Sequence, residues 1–494
     1  MHKTKGMLQS IPFSFCFFCV LNGFAQAKEA FYINKEITEI YVDVLHLNFD
    51  EADEKLRRKS VANNALRHLT ANLNDFLKIF VTEDRQLYEK LSKLKVERLK
   101  EIEKADHTSP FYLYSIAEIN LQWAMLRIKF NDRFKAVMEL RKALSNIEKN
   151  NTLFPDFYLN LKVNGLLKAF SGAIPENYHW ISELFGFQGT VKDGLQDLQK
   201  LENQLKSDSP YHFLLTEIVF FQAFITLNLS GEIPNYQAWY EKIDKLKIKG
   251  PLIQFCGASI AAKERNLEKI AHFLNQPSRQ VGNFCYLHFL RGELALYRAE
   301  KNAETYFNRY LNCFKGSTYV KAAYQKIAWS QLLQNDMKGY QNTMTLVRNE
   351  GKAETDEDKM ALAEADRLQT PNVALLRVRL LFDSGQYEEA LHKIRELEPA
   401  KDLMYEYYYR LGRIMHLLNK LDEALKHYQL SVSHKDNEWD YFAASALFYS
   451  GEIHLMRRDK EQAKTFFNKV LQEKNHPYKN SLDAKAKSRL QLCK

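Results

Sequence analysis

The sequence is poor in the residues that interrupt helices. Its 494 residues include only 18 glycines and 11 prolines. No segment alternates apolar and polar residues for long enough to predict a β-sheet. Apolar residues instead recur at spacings of three and four along most of the chain, which is typical of amphipathic helices. The composition therefore predicts an all-α fold.

The sequence also lacks the motifs of common enzymes and metal sites. It contains no His-Glu-x-x-His, no Gly-x-Ser-x-Gly and no glycine-rich dinucleotide motif. His212, His416 and His454 have no second histidine or acid at the spacing of metal ligands. We therefore expect a non-enzymatic protein without cofactor or metal. A hydrolase or transferase hidden within residues 150–285 is the alternative.

Cysteine is scarce, with six residues in the whole chain. Two of them lie in an N-terminal apolar segment, and the other four show neither paired Cys-x-x-Cys motifs nor the spacing of a zinc site. Isolated buried thiols are the first interpretation of these four, and a Cys256–Cys285 disulfide is the alternative. The four are Cys256, Cys285, Cys313 and Cys493.

The first residues predict export from the cytoplasm. Two lysines precede the apolar run 11–24, which is too short to span a bilayer comfortably. The small-x-small sequence Ala25-Gln26-Ala27 then follows, as in a signal-peptidase site. We expect cleavage after Ala27 and a periplasmic mature chain, and an uncleaved N-terminal anchor is the alternative. The net charge of +9 is spread without a Lys/Arg block, so nucleic-acid binding is not expected.

Three segments near the C-terminus repeat one helical pattern. Their shared small residues are Ala390, Ala424 and Ala463, within segments 384–397, 418–431 and 456–469. The first two alanines are separated by 34 residues, the period of the tetratricopeptide repeat, and a longer loop precedes the third. Similar but degenerate hairpins are predicted at 112–144, 285–311 and 320–347.

Two further positions of the repeat support this assignment. Gly412 and Gly451 fall where the first helix of a hairpin needs a small residue for close approach. Tyr428 and Phe467 each lie four residues after the shared alanine and supply an aromatic side chain. Each unit is thus a hairpin whose apolar face is buried only by stacking on its neighbours.

The sequence therefore predicts an α-solenoid of tetratricopeptide-like hairpins, degenerate in the N-terminal and middle parts and clear at the C-terminus. The predicted parts are a signal peptide (1–27), an N-terminal helical region with a degenerate repeat (28–160), a middle helical-repeat region (161–348), an exposed charged connection (349–371) and three C-terminal repeats (372–494).

Three short motifs in the middle region resemble the eukaryotic tetratricopeptide-39 family. They are Gly186-Phe187-Gln188-Gly189 followed by Gly194-Leu195, then Gly250-Pro251-Leu252, then the segment Lys321 to Tyr324. The resemblance covers about a third of the chain and implies a helical repeat adaptor without catalytic residues. The export signal departs from that family. Together with a composition rich in Lys, Asn and Phe, it resembles exported repeat proteins of Bacteroidota.

The glycines of "GFQGTVKDGL" (186–195) also invite comparison with a phosphate-binding loop. A Walker loop needs four residues between its first glycine and Gly-Lys-Ser/Thr, a spacing that is absent here. Asp193 directly after Lys192 would repel phosphate. We expect the glycines to form a tight joint between two helices, with Gly186 and Gly189 at a helix boundary close to a neighbouring backbone.

The register of the three C-terminal repeats predicts which side chains line a concave groove. The predicted positions are Asn372, Leu375, Arg379 and Phe382, then Glu406, Tyr409, Arg413 and His416, then Ser445, Phe448, Glu452 and Leu455. Arg379 and Arg413 stack one repeat apart beside aromatic residues. Such a pair suits an acidic side chain or C-terminal carboxylate of a bound peptide. Alternatively, both arginines are solvated or paired with Glu406 and Glu452.

We interpret the sequence as a periplasmic scaffold or adaptor that binds protein partners in a cell-envelope complex through a curved repeat surface. An accessory factor for outer-membrane protein or polysaccharide export is an alternative within the same class. A protein that handles lipids or membrane surfaces is another, and an exposed aromatic or apolar patch would favour it.

Overall fold

The computed structural model describes residues 29–172, 189–205, 208–230, 233–277, 281–367, 370–434, 441–474, 476 and 478–493. The predicted all-α class is confirmed, because these residues form 24 α-helices and no β-strand. The signal peptide predicted at 1–27 and the motif residues 186–188 lie outside the described residues.

The first seven helices form the N-terminal part: α1 (Lys35–Leu45), α2 (Phe49–Leu56), α3 (Leu66–Thr82), α4 (Arg85–Ile102), α5 (Pro110–Lys129), α6 (Arg133–Leu153) and α7 (Asn160–Gly172). The middle part contains α8 (Val191–Gln204), α9 (Leu215–Asn228), α10 (Tyr236–Asp244), α11 (Pro251–Glu264), α12 (Leu267–Leu274), α13 (Tyr286–Tyr297), α14 (Ala303–Cys313), α15 (Val320–Leu333) and α16 (Met337–Asn349).

The C-terminal part contains α17 (Asp356–Asp366), α18 (Val373–Asp383), α19 (Tyr387–Arg395), α20 (Met404–Leu417), α21 (Leu421–Ser433), α22 (Tyr441–Met456), α23 (Lys460–Gln472) and α24 (Lys479–Leu492). Polar caps fix the starts of several helices. Asn34, Asp84 and Asn372, for example, each accept a hydrogen bond from a first-turn backbone N–H.

Among the described helices, seven hairpins from α5 onward turn through a single residue in the left-handed backbone conformation. One such residue lies between the two helices of each pair and lets the second helix fold back against the first. These residues are Asn131, Arg265, Ala299, Asn335, Gly385, Asn419 and Arg458. The common turn shows that the hairpin recurs far beyond the three C-terminal repeats, as expected for a solenoid.

Small residues let the two helices of each hairpin approach closely, as the repeat pattern predicts. A Cβ atom on Gly412 would lie 2.7 Å from the ring of Tyr428, and one on Gly451 would lie 2.7 Å from Phe467. Gly292 has the same relation to Phe307. Gly257 and Phe273 form a similar glycine–aromatic pair between α11 and α12. The sequence repeats do not predict this hairpin.

The hydrophobic core runs along the whole array. Its successive clusters span residues 37–294, 285–380, 378–453 and 444–493, so each overlaps the next in sequence. Such continuity is expected when each hairpin buries its apolar face on its neighbours.

The segment 349–371 differs from the exposed connection that its charges suggest. It contains α17, whose Met360, Ala361 and Ala365 are buried against the neighbouring helices. Asp358 is fully buried as well, and its carboxylate accepts hydrogen bonds from the backbone N–H groups of Tyr319 and Ala322 at the start of α15. The acidic residues therefore cap a helix terminus in addition to facing solvent.

The array curves strongly, which brings distant turns together. A Cβ atom on Gly385 would collide with the carbonyl oxygen of Arg265 at the α11–α12 turn. The backbone N–H of Lys315 donates to the carbonyl of Thr82 at 3.2 Å. This curvature places the α11–α12 turn beside the C-terminal repeats, where the candidate site lies.

Candidate protein-binding groove

A cavity of about 320 Å³ lies on the concave side of the C-terminal repeats. Its walls come from α17, α18, α20, α22 and α24, and the α11–α12 turn closes one side. Five basic and three acidic side chains line it, so its charge balance is positive. The basic residues are Arg265, Arg379, Arg410, Arg413 and Lys485, and the acidic ones are Asp356, Glu357 and Asp383.

Four of the eight proposed groove residues meet in this cavity. Arg379 and Phe382 reach it from α18, and Tyr409 and Arg413 reach it from α20. Ser445 of α22, from the same predicted register, also lines the cavity. The spacing of the repeats was therefore sufficient to bring the two arginines together on one surface.

Arg413 is the most deeply buried charge of the cavity wall. Only 7% of its surface is exposed. Its guanidinium lies 3.4 Å from the ring centroid of Tyr449 and 5.3 Å from that of Phe382, and it donates to the Tyr428 hydroxyl. Within the described ranges, no carboxylate lies within salt-bridge distance of it. Its aromatic neighbours thus stabilise the cation without neutralising it.

Arg379 is held in a similar way but has a weak acidic partner. Its guanidinium lies 4.5 Å from the ring centroid of Trp329, and its Nε lies 3.6 Å from Asp383. About a fifth of its side chain is exposed. Neither arginine pairs with the two glutamates that the sequence offered as partners.

Those two glutamates have other partners. Glu406 pairs with Arg410 of its own helix at 2.5 Å and lines a smaller neighbouring cavity of about 80 Å³. Glu452 pairs with Arg489 of α24 at 2.7 Å. The structure therefore does not place Glu452 in the cavity wall.

Phe448 also lies outside the cavity, contrary to the expected register. It is buried against Phe467, with ring centroids 5.6 Å apart, in the same apolar cluster as Leu482 and Ala486. Because α24 packs on the last repeat, it covers the positions of Phe448 and Glu452. Tyr449, one residue further along α22, lines the cavity instead.

His416 lies at the edge of the site, beside rather than within the cavity wall. Its Nδ1 is 3.2 Å from the hydroxyl of Tyr428. Burial and the neighbouring Arg413 lower the pKa of His416 to about 4. The imidazole is therefore neutral at pH 7.

The other predicted groove positions have structural roles. Asn372 caps α18 by accepting from the backbone N–H of Leu375, which is itself buried. Leu455 packs against the last apolar cluster.

The repeat register does not predict most of the residues that line the cavity. Arg265 and Lys485 come from the α11–α12 turn and from α24, neither of which carries a recognisable groove position. Tyr441 and Tyr478 line the cavity with their rings in edge contact at 5.1 Å. Arg410 follows three tyrosines in the aromatic segment "MYEYYYRLG" (404–412), a local feature that could have drawn attention to it.

Two residues of the segment 150–285, the alternative location for an enzyme site, belong to a cluster of buried ionisable side chains. Lys162 Nζ lies 2.5 Å from Glu118 and 2.6 Å from Glu217, and Tyr41 donates to Glu217 at 2.5 Å. Burial raises the pKa of Glu217. The adjoining cavity of about 30 Å³ has room for about two water molecules. The cluster therefore joins helices in the core, with no space for a substrate beside it.

The glycine-rich motif forms the expected helix joint where it is described. Gly189 lies just before α8, and a Cβ on it would be 2.9 Å from the Cα of Lys168. Thr190 and Asp193 exchange hydrogen bonds as a capping box at the start of α8. Asp193 therefore has a structural role in this motif. Gly186 lies outside the described residues.

The disulfide differs from the one considered from the sequence. Cys285 bonds to Cys313, whereas Cys256 is a buried free thiol, and burial raises its pKa. Cys285 precedes α13 and Cys313 ends α14, so an antiparallel hairpin brings the two together. Cys493 is also free and buried.

Two features are absent from the described residues. No described helix has the length and apolar character needed to span a membrane. No three His, Cys, Asp or Glu side chains of the described part are grouped as metal ligands would be.

The comparison with protein families supports the repeat assignment. The sequence profile of the family described as "Tetratricopeptide repeat" matches residues 375–438, which cover α18 to α21 and most of one cavity wall. The chain therefore carries tetratricopeptide repeats in an all-α solenoid. A search of curated proteins finds no match to this chain. Solenoids of this kind present extended concave surfaces that bind other proteins.

Proposed function

We propose that the protein is a periplasmic adaptor of a cell-envelope complex, and that its C-terminal cavity binds an acidic segment of a protein partner. The observation that carries this proposal is Arg413, a buried cation that faces a cavity and has no carboxylate partner among the described residues. The tetratricopeptide repeats that hold it support a protein as the partner.

The energetics of buried charge support an anionic ligand. A cation removed from water is costly unless it is paired and hydrogen-bonded. Aromatic rings recover part of that cost at Arg413, by about 0.5–2 kcal/mol for each cation–π contact. A carboxylate in the cavity would recover more, because a guanidinium binds it through two parallel hydrogen bonds.

The composition of the cavity favours a carboxylate that arrives on a peptide. Arg379, Arg410 and Arg265 surround Arg413, and the tyrosine hydroxyls supply further donors. Aromatic walls at Phe382 also offer apolar contact to the rest of a peptide. The three acidic side chains of the wall would oppose a partner with several adjacent charges, so one or two carboxylates fit best.

Two observations support the periplasmic location. The first residues have the pattern of a signal peptide. The Cys285–Cys313 disulfide is of the kind that persists in an oxidising compartment.

The resemblance of the middle region to the tetratricopeptide-39 family is consistent with an adaptor. A client in outer-membrane protein or polysaccharide export would fit the same mechanism.

Affinity capture from the native envelope tests the proposal. The wild-type chain and the Arg379→Gln/Arg413→Gln variant are immobilised, and captured proteins are identified by mass spectrometry. We expect one partner to be lost with the variant and retained with Arg457→Gln, a matched control at an exposed arginine that pairs with Asp422. Equal capture of every protein by all three chains would contradict the proposal.

A further inference from the structure

The outer face of α6 exposes large apolar side chains to solvent. Phe134 is 78% exposed and Met138 is 41% exposed. Ile128, in the last turn of α5, is 54% exposed. Because only three residues join α5 to α6, Ile128 and Phe134 lie at the same end of this hairpin. Phe134 is the most exposed phenylalanine of the described residues.

The same helix face is strongly basic. Residues 134, 138, 142 and 149 follow the spacing of one helical stripe, so Lys142 and Lys149 continue the line of Phe134 and Met138. The exposed charged residues of α6 are Arg133, Lys135, Arg141, Lys142 and Lys149, with Glu148 as the one exposed acid of this helix. Lys135 pairs with the half-buried Asp132. On the stripe itself, Lys142 and Lys149 outnumber the exposed Glu148, so its charge is positive.

The opposite face of α6 fixes the helix in the fold. Ala143 and Ile147 are buried in the core, and Glu139 pairs with Lys95 of α4 and Arg127 of α5. The exposed stripe is therefore presented by a helix that is anchored through its inner face and has no neighbour on its outer side among the described residues.

We propose that this α6 stripe docks on an anionic lipid bilayer surface. Protruding apolar side chains flanked by lysines and arginines match the two parts of such a surface, since the apolar groups enter the headgroup boundary and the cations meet the lipid phosphates. The excess of cations selects an anionic bilayer over a zwitterionic one. The stripe is convex and isolated, whereas a protein partner is usually received by a cluster of packed residues in a pocket.

This docking goes beyond the proposed function and uses residues on another part of the chain. It would hold the adaptor at a membrane while the C-terminal cavity stays available to a partner. Because the α6 stripe contributes no residue to that cavity, the two can be tested separately.

Vesicle sedimentation tests the inference. The full chain is mixed with vesicles of phosphatidylcholine alone or of phosphatidylcholine with phosphatidylglycerol, at low and high salt. We expect sedimentation with the anionic vesicles, weakened by salt, and little with the neutral ones. Both Phe134→Ser/Met138→Ser and Lys142→Glu/Lys149→Glu should reduce the bound fraction at least about tenfold.

Two control variants test whether a loss of vesicle binding is specific to α6. Met456→Ser/Lys464→Glu changes an exposed methionine and lysine at the other end of the chain and should bind vesicles like the wild type. The groove variant Arg379→Gln/Arg413→Gln should also bind normally. Absence of sedimentation with anionic vesicles, or equal binding by the stripe variants, would overturn the inference and leave the proposed function untouched.

Discussion

Two adjacent residues illustrate two different constraints on this sequence. Helix packing requires the first and does not require the second. Gly412 is present because the ring of Tyr428 occupies the space that a side chain would need. Arg413, the next residue, occupies a position where an apolar side chain would bury at lower cost. The fold explains the first residue, and the proposed anionic ligand would explain the second.

Replacing Gly412 tests the packing account. In Gly412→Ala, the added Cβ would lie 2.7 Å from a ring atom of Tyr428, so the hairpin must open slightly. We expect a loss of about 1–2 kcal/mol in the free energy of unfolding, because overpacking outweighs the better helix propensity of alanine. Gly282→Ala, where nothing lies within 4 Å of the added atom, should be nearly neutral in the same denaturant titration. Equal effects of the two changes would contradict this account.

His416 provides a test of the charge around the cavity. Burial and Arg413 lower its pKa to about 4, below the value of about 6.5 in an unfolded chain. Its contribution to stability is therefore fully present above pH 6.5 and is lost as the pH falls from 6.5 to 4, because the unfolded chain takes up the proton first.

The expected result is a smaller pH dependence in His416→Gln. Between pH 7 and pH 5 the wild type should lose roughly 1 kcal/mol more stability than the variant, after allowance for partial exposure of the ring. Denaturant titrations at both pH values measure this difference. Identical pH dependence in the two proteins would show that His416 is not held neutral by its surroundings.

At the scale of helices, the sequence predicts an element well where the repeat pattern is strong. The α20–α21 and α22–α23 hairpins follow from the spacing of Ala424, Ala463 and their aromatic partners. The repeat spacing does not predict α17 or α24, because neither helix is part of a hairpin with the repeat pattern. Because α24 covers Phe448 and Glu452, neither lines the cavity. Tyr449, which the repeat register does not predict, lines it instead.

The α13–α14 hairpin carries the disulfide, and this element gives a further prediction. Cys285 and Cys313 are 28 residues apart, and closing a loop of that length should stabilise the protein by about 3 kcal/mol. Cys285→Ser/Cys313→Ser should lose that stability, and a reductant should lower the unfolding midpoint of the wild type alone.

Counting thiols checks the pairing directly. Alkylation of the unfolded wild type without reductant should modify Cys256 and Cys493 and leave Cys285 and Cys313 unmodified. Modification of all four would contradict the disulfide.

At the scale of the whole molecule, curvature determines the candidate site. The repeat period relates the positions of Arg379, Phe382, Tyr409 and Arg413, which line one cavity. It does not predict Arg265, which lies more than a hundred residues earlier and reaches the cavity through contacts of the α11–α12 turn with Gly385. Such contacts depend on the summed rotation of all intervening hairpins, which no local pattern encodes.

The two proposed binding surfaces lie in different parts of the array. The cavity belongs to the C-terminal part, and the α6 stripe belongs to the N-terminal part. The C-terminal cavity would bind an acidic segment of a protein, and the α5–α6 hairpin would bind an anionic bilayer. A curved solenoid suits this division of roles, since neighbouring hairpins contact each other and distant ones remain available to partners.

The most direct test of the central claim is a paired measurement on Arg413→Met. Methionine fills a similar volume between Phe382 and Tyr449 without the charge, so the lost cation–π contacts and the removed burial cost should offset each other. We predict a free energy of unfolding within about 1 kcal/mol of the wild type, together with loss of the partner that the wild type captures. A loss of several kcal/mol with capture intact would show that Arg413 serves the fold, and would contradict the account.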